Sequence, residues 1–338
     1  MKRLSDISID DLGGGITAID LGASGKVNPD WEALARWINV IAFDPNADEC
    51  ERLNAQPSGY RSARFLPYAL AGETGPHVLY KTRSIYCWSL LKPRLDDWLS
   101  RFTYADLFAP EGTGTVQAYR LDEVPQLANV DLDAIKVDTQ GLELPILRGA
   151  LPFVQSCISI ETETGFTQNY EGETTFDEIL AFMRGQGFGL FGIDPFHAIA
   201  RKNQLSRFAS NEQMLWCEAL WLRDYYQSSP AQLKLLSRPK ALRALCLYAN
   251  RGCLAFGLEA AALFRDLQLI SNEEFEEAQN PSWWTLPGRS PGLVRGTLNL
   301  MPRKILGGLR NRLLSLLNTV DAVRATPHPL KQNQARNE

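Results

Sequence analysis

The sequence predicts an α/β fold: a mostly parallel sheet covered by helices on both faces. Short apolar runs that end in an acid or a glycine read as buried strands, and amphipathic stretches at helical spacing lie between them. This alternation recurs from about residue 16 to 225. ITAIDL (16–21) is apolar and β-branched and feeds a glycine turn, as a first buried strand does. Trp31, Leu34, Ala35 and Ile38 fall at helical spacing within 29–38, and NVIAFD (39–44) follows as a second strand, completing a βαβ unit. The pattern continues with a helix at about 46–55, strand RFLPYALA (64–71), AIKVD (134–138), a helix at 143–150 and CISIETE (157–163). A helix at about 174–185 and strand FGLFGI (188–193) come next, and MLWCEALWLRD (214–224) can close the sheet as an added antiparallel strand. The polar, glycine- and tryptophan-containing stretch at about 75–125 reads as an insertion, a place where substrate contacts concentrate. From about 230 only helical patterns remain, so the expected organisation is one domain over 1–228 and an α-helical region with a polar tail over 229–338.

Composition narrows the function. The 338 residues are 45% apolar and 22% charged, which suits a globular protein with a sizeable core and excludes disordered, collagenous and disulfide-scaffold chains. A net charge of −4 offers no cationic footprint for nucleic acid. Six scattered cysteines form no C-x-x-C pair, so no structural zinc and no disulfide framework is expected. With no signal-peptide core and no apolar run of about 18 residues, the reading is a cytoplasmic protein with reduced thiols.

The chemistry concentrates at strand ends. Asp20 closes the first strand and Gly22, Ala23, Ser24 and Gly25 make the turn; the glycines let a ligand approach the backbone, and the acid can pair with an ammonium group. Asp44, followed by Pro45, ends the second strand and can accept both hydroxyls of an adenosine ribose. A nicotinamide dinucleotide would want G-x-G-x-x-G for its pyrophosphate, and G-A-S-G-K-V misses that pattern. S-adenosylmethionine has an amino group and no phosphate, and the two acids favour it.

DLGASG, VIAFDPN, YALAGETG, YRLDEV, AIKVDTQGLELPILRGA, ISIETE and GFGLFGID occur in that order, and the chain resembles the FkbM-type family of S-adenosylmethionine-dependent methyltransferases over about 16–225. The most specific stretch is 135–150, which matches the family's Lys-x-Asp-x-x-Gly-x-Glu-x-x-x-Leu-x-Gly block. Three departures stand out: the first turn is one residue short, Asp44 replaces a commoner Glu, and Gln140 stands where an acid is common. The resemblance implies a Rossmann-like class I methyltransferase fold and methyl transfer to a hydroxyl of a sugar, glycolipid or natural-product acceptor. Asp138 is then the candidate base or acceptor-positioning group, with Lys136 on the same side of its strand as an ion-pair partner, and His197 is an alternative base. For Lys136 and Asp138 the alternative is a structural ion pair; for Glu143, a helix-start acid, capping outweighs chemistry. Glu161 and Glu163 share a strand face near the acceptor cleft, and Trp88 or the Trp283–Trp284 pair can stack on a sugar ring. Asp138, Glu163 and His197 lack compact ligand spacing, so no metal is expected. The basic amphipathic stretch 303–317 suits an anionic membrane surface, although packing on the same chain or a second copy is the commoner fate of such a helix. Competing readings are an inactive cofactor-binding partner subunit and an NAD-linked oxidoreductase.

Overall fold

A computed structural model describes residues 3–22, 27–193, 197–206 and 212–286. The strands are β1 (Ile16–Leu21), β2 (Ile38–Phe43), β3 (Ser62–Leu66), β4 (Ala69–Leu70), β5 (Gly75–Thr82), β6 (Pro110–Tyr119), β7 (Ala134–Val137), β8 (Ser159–Gly165), β9 (Phe188–Ile193), β10 (Ala198–Ile199), β11 (Gln213–Met214) and β12 (Trp216–Arg223). The α-helices are α1 (Ala47–Asn54), α2 (Glu143–Gly149), α3 (Leu151–Ser156), α4 (Phe176–Gly185), α5 (Pro230–Lys234), α6 (Arg238–Asn250), α7 (Leu254–Asp266) and α8 (Asn272–Ala278).

Seven strands form the central sheet in the order β3-β2-β1-β7-β8-β12-β9. The pairs from β3 through to β8 are parallel, and β12 runs antiparallel to both β8 and β9. The last strand therefore closes the sheet from within rather than at its rim. Alternation along each strand sends side chains to opposite faces. Ile16 and Ala18 of β1 join one core with Trp31, Val40 and the helices α6–α8, while Ile19 and Leu21 join a second core with Val137, Ile160, Leu147 and Ile179. The sheet is thus covered on both sides, as the apolar runs predict.

Three local expectations change. The segment between β1 and β2 is a 3-10 helix, Pro29–Leu34, at whose start Asn28 Oδ1 accepts from Asp30 N. Trp31 and Leu34 are nonetheless buried, so the periodicity marked the right apolar face. The run 64–71 breaks after Leu66, and β4 leaves the main sheet to pair with β6 in a three-stranded sheet β4-β6-β5. β5, β6 and four 3-10 turns lie within the 75–125 insertion. The helices beyond 229, expected as a separate region, share the core of β1 and β2: α6 is buried along nearly its whole length, and its buried Lys240 and Arg243 are paired with Asp131 and Asp133. Arg223 ties the β12 end to the carbonyls of Cys157, Gln186 and Val154. Among the described residues no helix is long and apolar enough to cross a membrane. Residues 303–317 lie outside the described ones.

Candidate functional site

Parallel strands carry their functional groups at the carboxyl ends, and here Asp44, Asp20 and Asp138 end three neighbouring strands, β2, β1 and β7. Asp20 sits level with Lys136 of β7, which sits level with Glu161 of β8. A row of charge thus crosses the sheet on the α6 side.

Asp20 is 1% exposed. Its Oδ2 accepts from Asn28 N at 2.7 Å, while Oδ1 is buried and meets no hydrogen-bond partner among the described residues. Burial raises its pKa, against the pull of the Lys136 charge and the Asn28 hydrogen bond. A buried carboxylate oxygen without a donor is costly unless a ligand supplies one. The atom therefore fits a cationic amino group, the partner expected for it from sequence. Asp44 is buried as well; its Oδ1 accepts from Asn46 N at 2.7 Å, and Asn46 in turn caps α1 through Glu49 N. Burial pushes Asp44 above the usual carboxylate value. Pro45 is exposed at the same turn. Ala23, Ser24 and Gly25 lie outside the described residues. Gly22 has φ +85°, and a Cβ there would stand 2.0 Å from the Asp138 carbonyl oxygen. Its glycine is thus required by the crossing of two strand ends as well as by any ligand.

Lys136 and Asp138 do meet, Nζ to Oδ2 at 3.0 Å, with side chains 18% and 25% exposed. Gln140 joins Asp138 to Glu163: its Nε2 donates to Asp138 Oδ1 at 2.9 Å and to Glu163 Oε2. Gln140 has φ +57° and is held in that left-handed backbone by Ser89 Oγ, which donates to its carbonyl, and by Tyr170 OH, which donates to its Oε1 at 2.8 Å. Burial works to raise Asp138, but the Lys136 charge and hydrogen bonds from Glu163, Lys136 and Gln140 outweigh it and leave its carboxyl below the usual value. Glu163 goes the other way, raised well above its usual value by burial and by the Asp138 charge. The two shifts run in opposite directions, because two carboxylates this close cannot both ionise cheaply.

Glu143, expected to cap its own helix, instead holds the loop that precedes it. Its Oε1 accepts from Thr139 N at 2.9 Å, and Gly141 N donates to both its oxygens, so it shapes the 139–141 loop that presents Gln140. Burial pushes Glu143 up to about 8, aided by the Glu173 charge. Its unfolded value is 4.5, so between these values the folded state binds more protons, and stability falls as pH rises through that window. The urea midpoint should therefore decline from about pH 5 to 8, and Glu143→Gln should flatten the slope. An unaltered slope in the variant would remove Glu143 from this account.

His197 immediately precedes β10, its ring stacked on Trp216 at 5.3 Å. Trp88 donates Nε1 to Thr82 O at 2.9 Å, and Lys81 lies over its ring. Trp283 and Trp284 are each 4% exposed, and Trp284 Nε1 donates to Ala278 O, so this pair is core and does not present a face to a sugar. Among the described residues no group of three metal-ligating side chains is placed to hold an ion.

Sequence reasoning missed Asn28, Tyr170 and Arg251. Asn28 is the hub, its backbone N donating to Asp20, its Nδ2 to Glu161 Oε1 at 3.0 Å and its carbonyl accepting from Tyr60 OH. Its place beyond the glycine turn and just before Pro29 is the one signal that could have found it.

The family model described as the methyltransferase FkbM domain matches residues 26–190. No curated protein matches the sequence. Among solved structures, the chain is similar to a TehB-like SAM-dependent methyltransferase from Corynebacterium glutamicum, at 11% identity and TM-score 0.29, covering 62% of this chain and 81% of that one. It is also similar to a putative tRNA (m1A22) methyltransferase of Streptococcus pneumoniae, at 11% identity and TM-score 0.32, covering 79% and 93%. Likeness at that level decides nothing. Residues 26–190 of the chain are similar to the methyltransferase FkbM domain.

Proposed function

We propose that the protein is an S-adenosylmethionine-dependent O-methyltransferase acting on a hydroxyl of a sugar, glycolipid or related natural-product acceptor. The observation that carries this reading is the buried Asp20 Oδ1, without a donor among the described residues, on the strand between Asp44 and Asp138. Asp20 would hold the cofactor's amino group and Asp44 its ribose hydroxyls. When bound, S-adenosylmethionine supplies a methyl group already activated for transfer. What remains for the chain is alignment of the acceptor and removal of its proton. Asp138, kept ionised by Lys136 and by the protonated Glu163, is the carboxylate that takes the hydroxyl proton. The loop after β8 and the insertion form the acceptor side, joined by Pro93 bridging to Tyr170 and by Trp98 Nε1 donating to Asn169 Oδ1.

Calorimetry with S-adenosylhomocysteine, followed by transfer of labelled methyl to an acceptor pool, tests the reading. Asp20→Ala and Asp44→Ala should each weaken binding by about 1–3 kcal/mol, through loss of a charged hydrogen bond. Wild-type affinity in both variants would refute the assignment, and binding without transfer to any hydroxyl would leave a cofactor-binding subunit.

A further inference from the structure

We propose that Arg251, outside the family-matched segment, is a positioning residue of the cofactor site: it clamps the Asn28–Asp30 turn onto Glu161 and so aims Asp20. The inference rests on the S-adenosylmethionine reading of Asp20. Arg251 is the C-cap of α6 and its side chain is 9% exposed. One guanidinium nitrogen binds Asp30 Oδ2, and the other binds Glu161 Oε1. The same Glu161 oxygen accepts from Asn28 Nδ2, and Asn28 N donates to Asp20 Oδ2. A second tie comes from the preceding residue, Asn250 Nδ2, which donates to Asp30 O at 2.8 Å.

These bonds make a continuous path from the helix to the carboxylate: Arg251, Glu161, Asn28, Asp20. The helix behind it is a strut about 20 Å long at 1.5 Å per residue. Near its other end Lys240 Nζ lies 2.8 Å from both Asp131 Oδ1 and Asp133 Oδ1, and Arg243 pairs with the same two acids. Asp133 Oδ2 accepts in turn from Thr17 N, the first turn's own strand. Pinned to the sheet at both ends, α6 gives Arg251 a fixed origin. Glu161 without Arg251 would be a buried carboxylate facing Asp20 from two strands away, free to draw Asn28 off the geometry that Asp20 needs.

The full-length protein is compared with R251A, R251K and R238A by calorimetry with S-adenosylhomocysteine, thermal melting, and amide exchange of residues 27–30 without ligand. R251A should raise Kd about tenfold or more and speed exchange at 27–30, because breaking a buried ion pair leaves its partners uncompensated. R251K keeps the charge but replaces the planar fork with a single ammonium centre, which holds Asp30 and Glu161 less well, so its Kd should rise only about threefold. R238A removes the surface pair with Glu274 at the other end of α6, and should lower the melting temperature while leaving Kd unchanged. The inference is overturned if R251A binds as wild type does, or if Kd merely follows melting temperature across the three variants. Should R251A fail to fold, unchanged Kd and exchange in R251K overturn it. A wild-type protein that binds no S-adenosylhomocysteine overturns the cofactor reading, and this inference with it.

Discussion

Asp138→Asn is expected to lower kcat by about 10² to 10⁴, the range over which a general base acts, while the Kd for S-adenosylhomocysteine stays within about threefold of wild type. The asymmetry follows from position. Asp20 and Asp44 line the side proposed for the amino and ribose groups, whereas Asp138 faces Gln140, Glu163 and, through Gln140, Tyr170. An asparagine keeps the shape but turns an amide toward either Lys136 Nζ or Gln140 Nε2, both donors, and it removes the charge that keeps Glu163 protonated. Glu163→Gln is the matching control. It preserves a neutral partner for Asp138, so most turnover should remain, and the alkaline fall in activity caused by ionisation of Glu163 should disappear. Single-turnover rates across pH for the two variants decide the matter. If Asp138→Asn abolishes binding, or leaves turnover intact, Asp138 is a structural partner of Lys136 and no more. If Glu163→Gln is the more damaging change, the proton goes to Glu163 instead.

Gly22→Ala is expected to cost on the order of 3 kcal/mol of stability or more and to abolish measurable cofactor binding. Two penalties act together. The backbone is at φ +85°, where a Cβ is strained, and the added carbon would stand 2.0 Å from Asp138 O, a backbone atom that β7 holds in place. Relief requires the ends of β1 and β7 to separate, and that displaces Asp20 and Asp138 at once. Urea unfolding and calorimetry on one preparation measure both effects. Wild-type stability would mean that the turn relaxes without moving the strand ends.

Much of this site is legible in the chain, for a physical reason. Asp20, Asp44 and Asp138 each follow an apolar run, and parallel strands bring such ends to one edge whatever the details of packing. Glu143 is likewise local, since it holds backbone donors only two and four residues away. Arg251 is not local: it meets Glu161 across 90 positions and Asp30 across 221, and neither a periodicity nor a spacing marks that meeting. Gln140 was visible as a departure from an acid, but its function as an amide between two carboxyls depends on Glu163 from another strand. The short helix of 29–34 misled for a different reason, because a buried apolar face is common to α and 3-10 turns and periodicity cannot separate them over six residues.

The position of β12 sets an order in time. Residues 216–223 lie between β8 and β9, and among the described residues β9 has its sheet neighbour only in β12, so β9 is made before the strand it pairs with exists. The α6 side of β1 and β2 likewise stays uncovered until residues 238–278 are synthesised. At about 5–20 residues per second, some 10–45 s separate the completion of β1 from that of α6. Within this interval the nascent chain carries a bare apolar sheet face and, for about 3–12 s between the completion of β8 and that of β12, an open β8 edge, both apt to capture other unfolded chains. Asp20 is among the first functional groups to leave the ribosome, and its seat is completed only when Arg251, near the end of the described chain, has followed it.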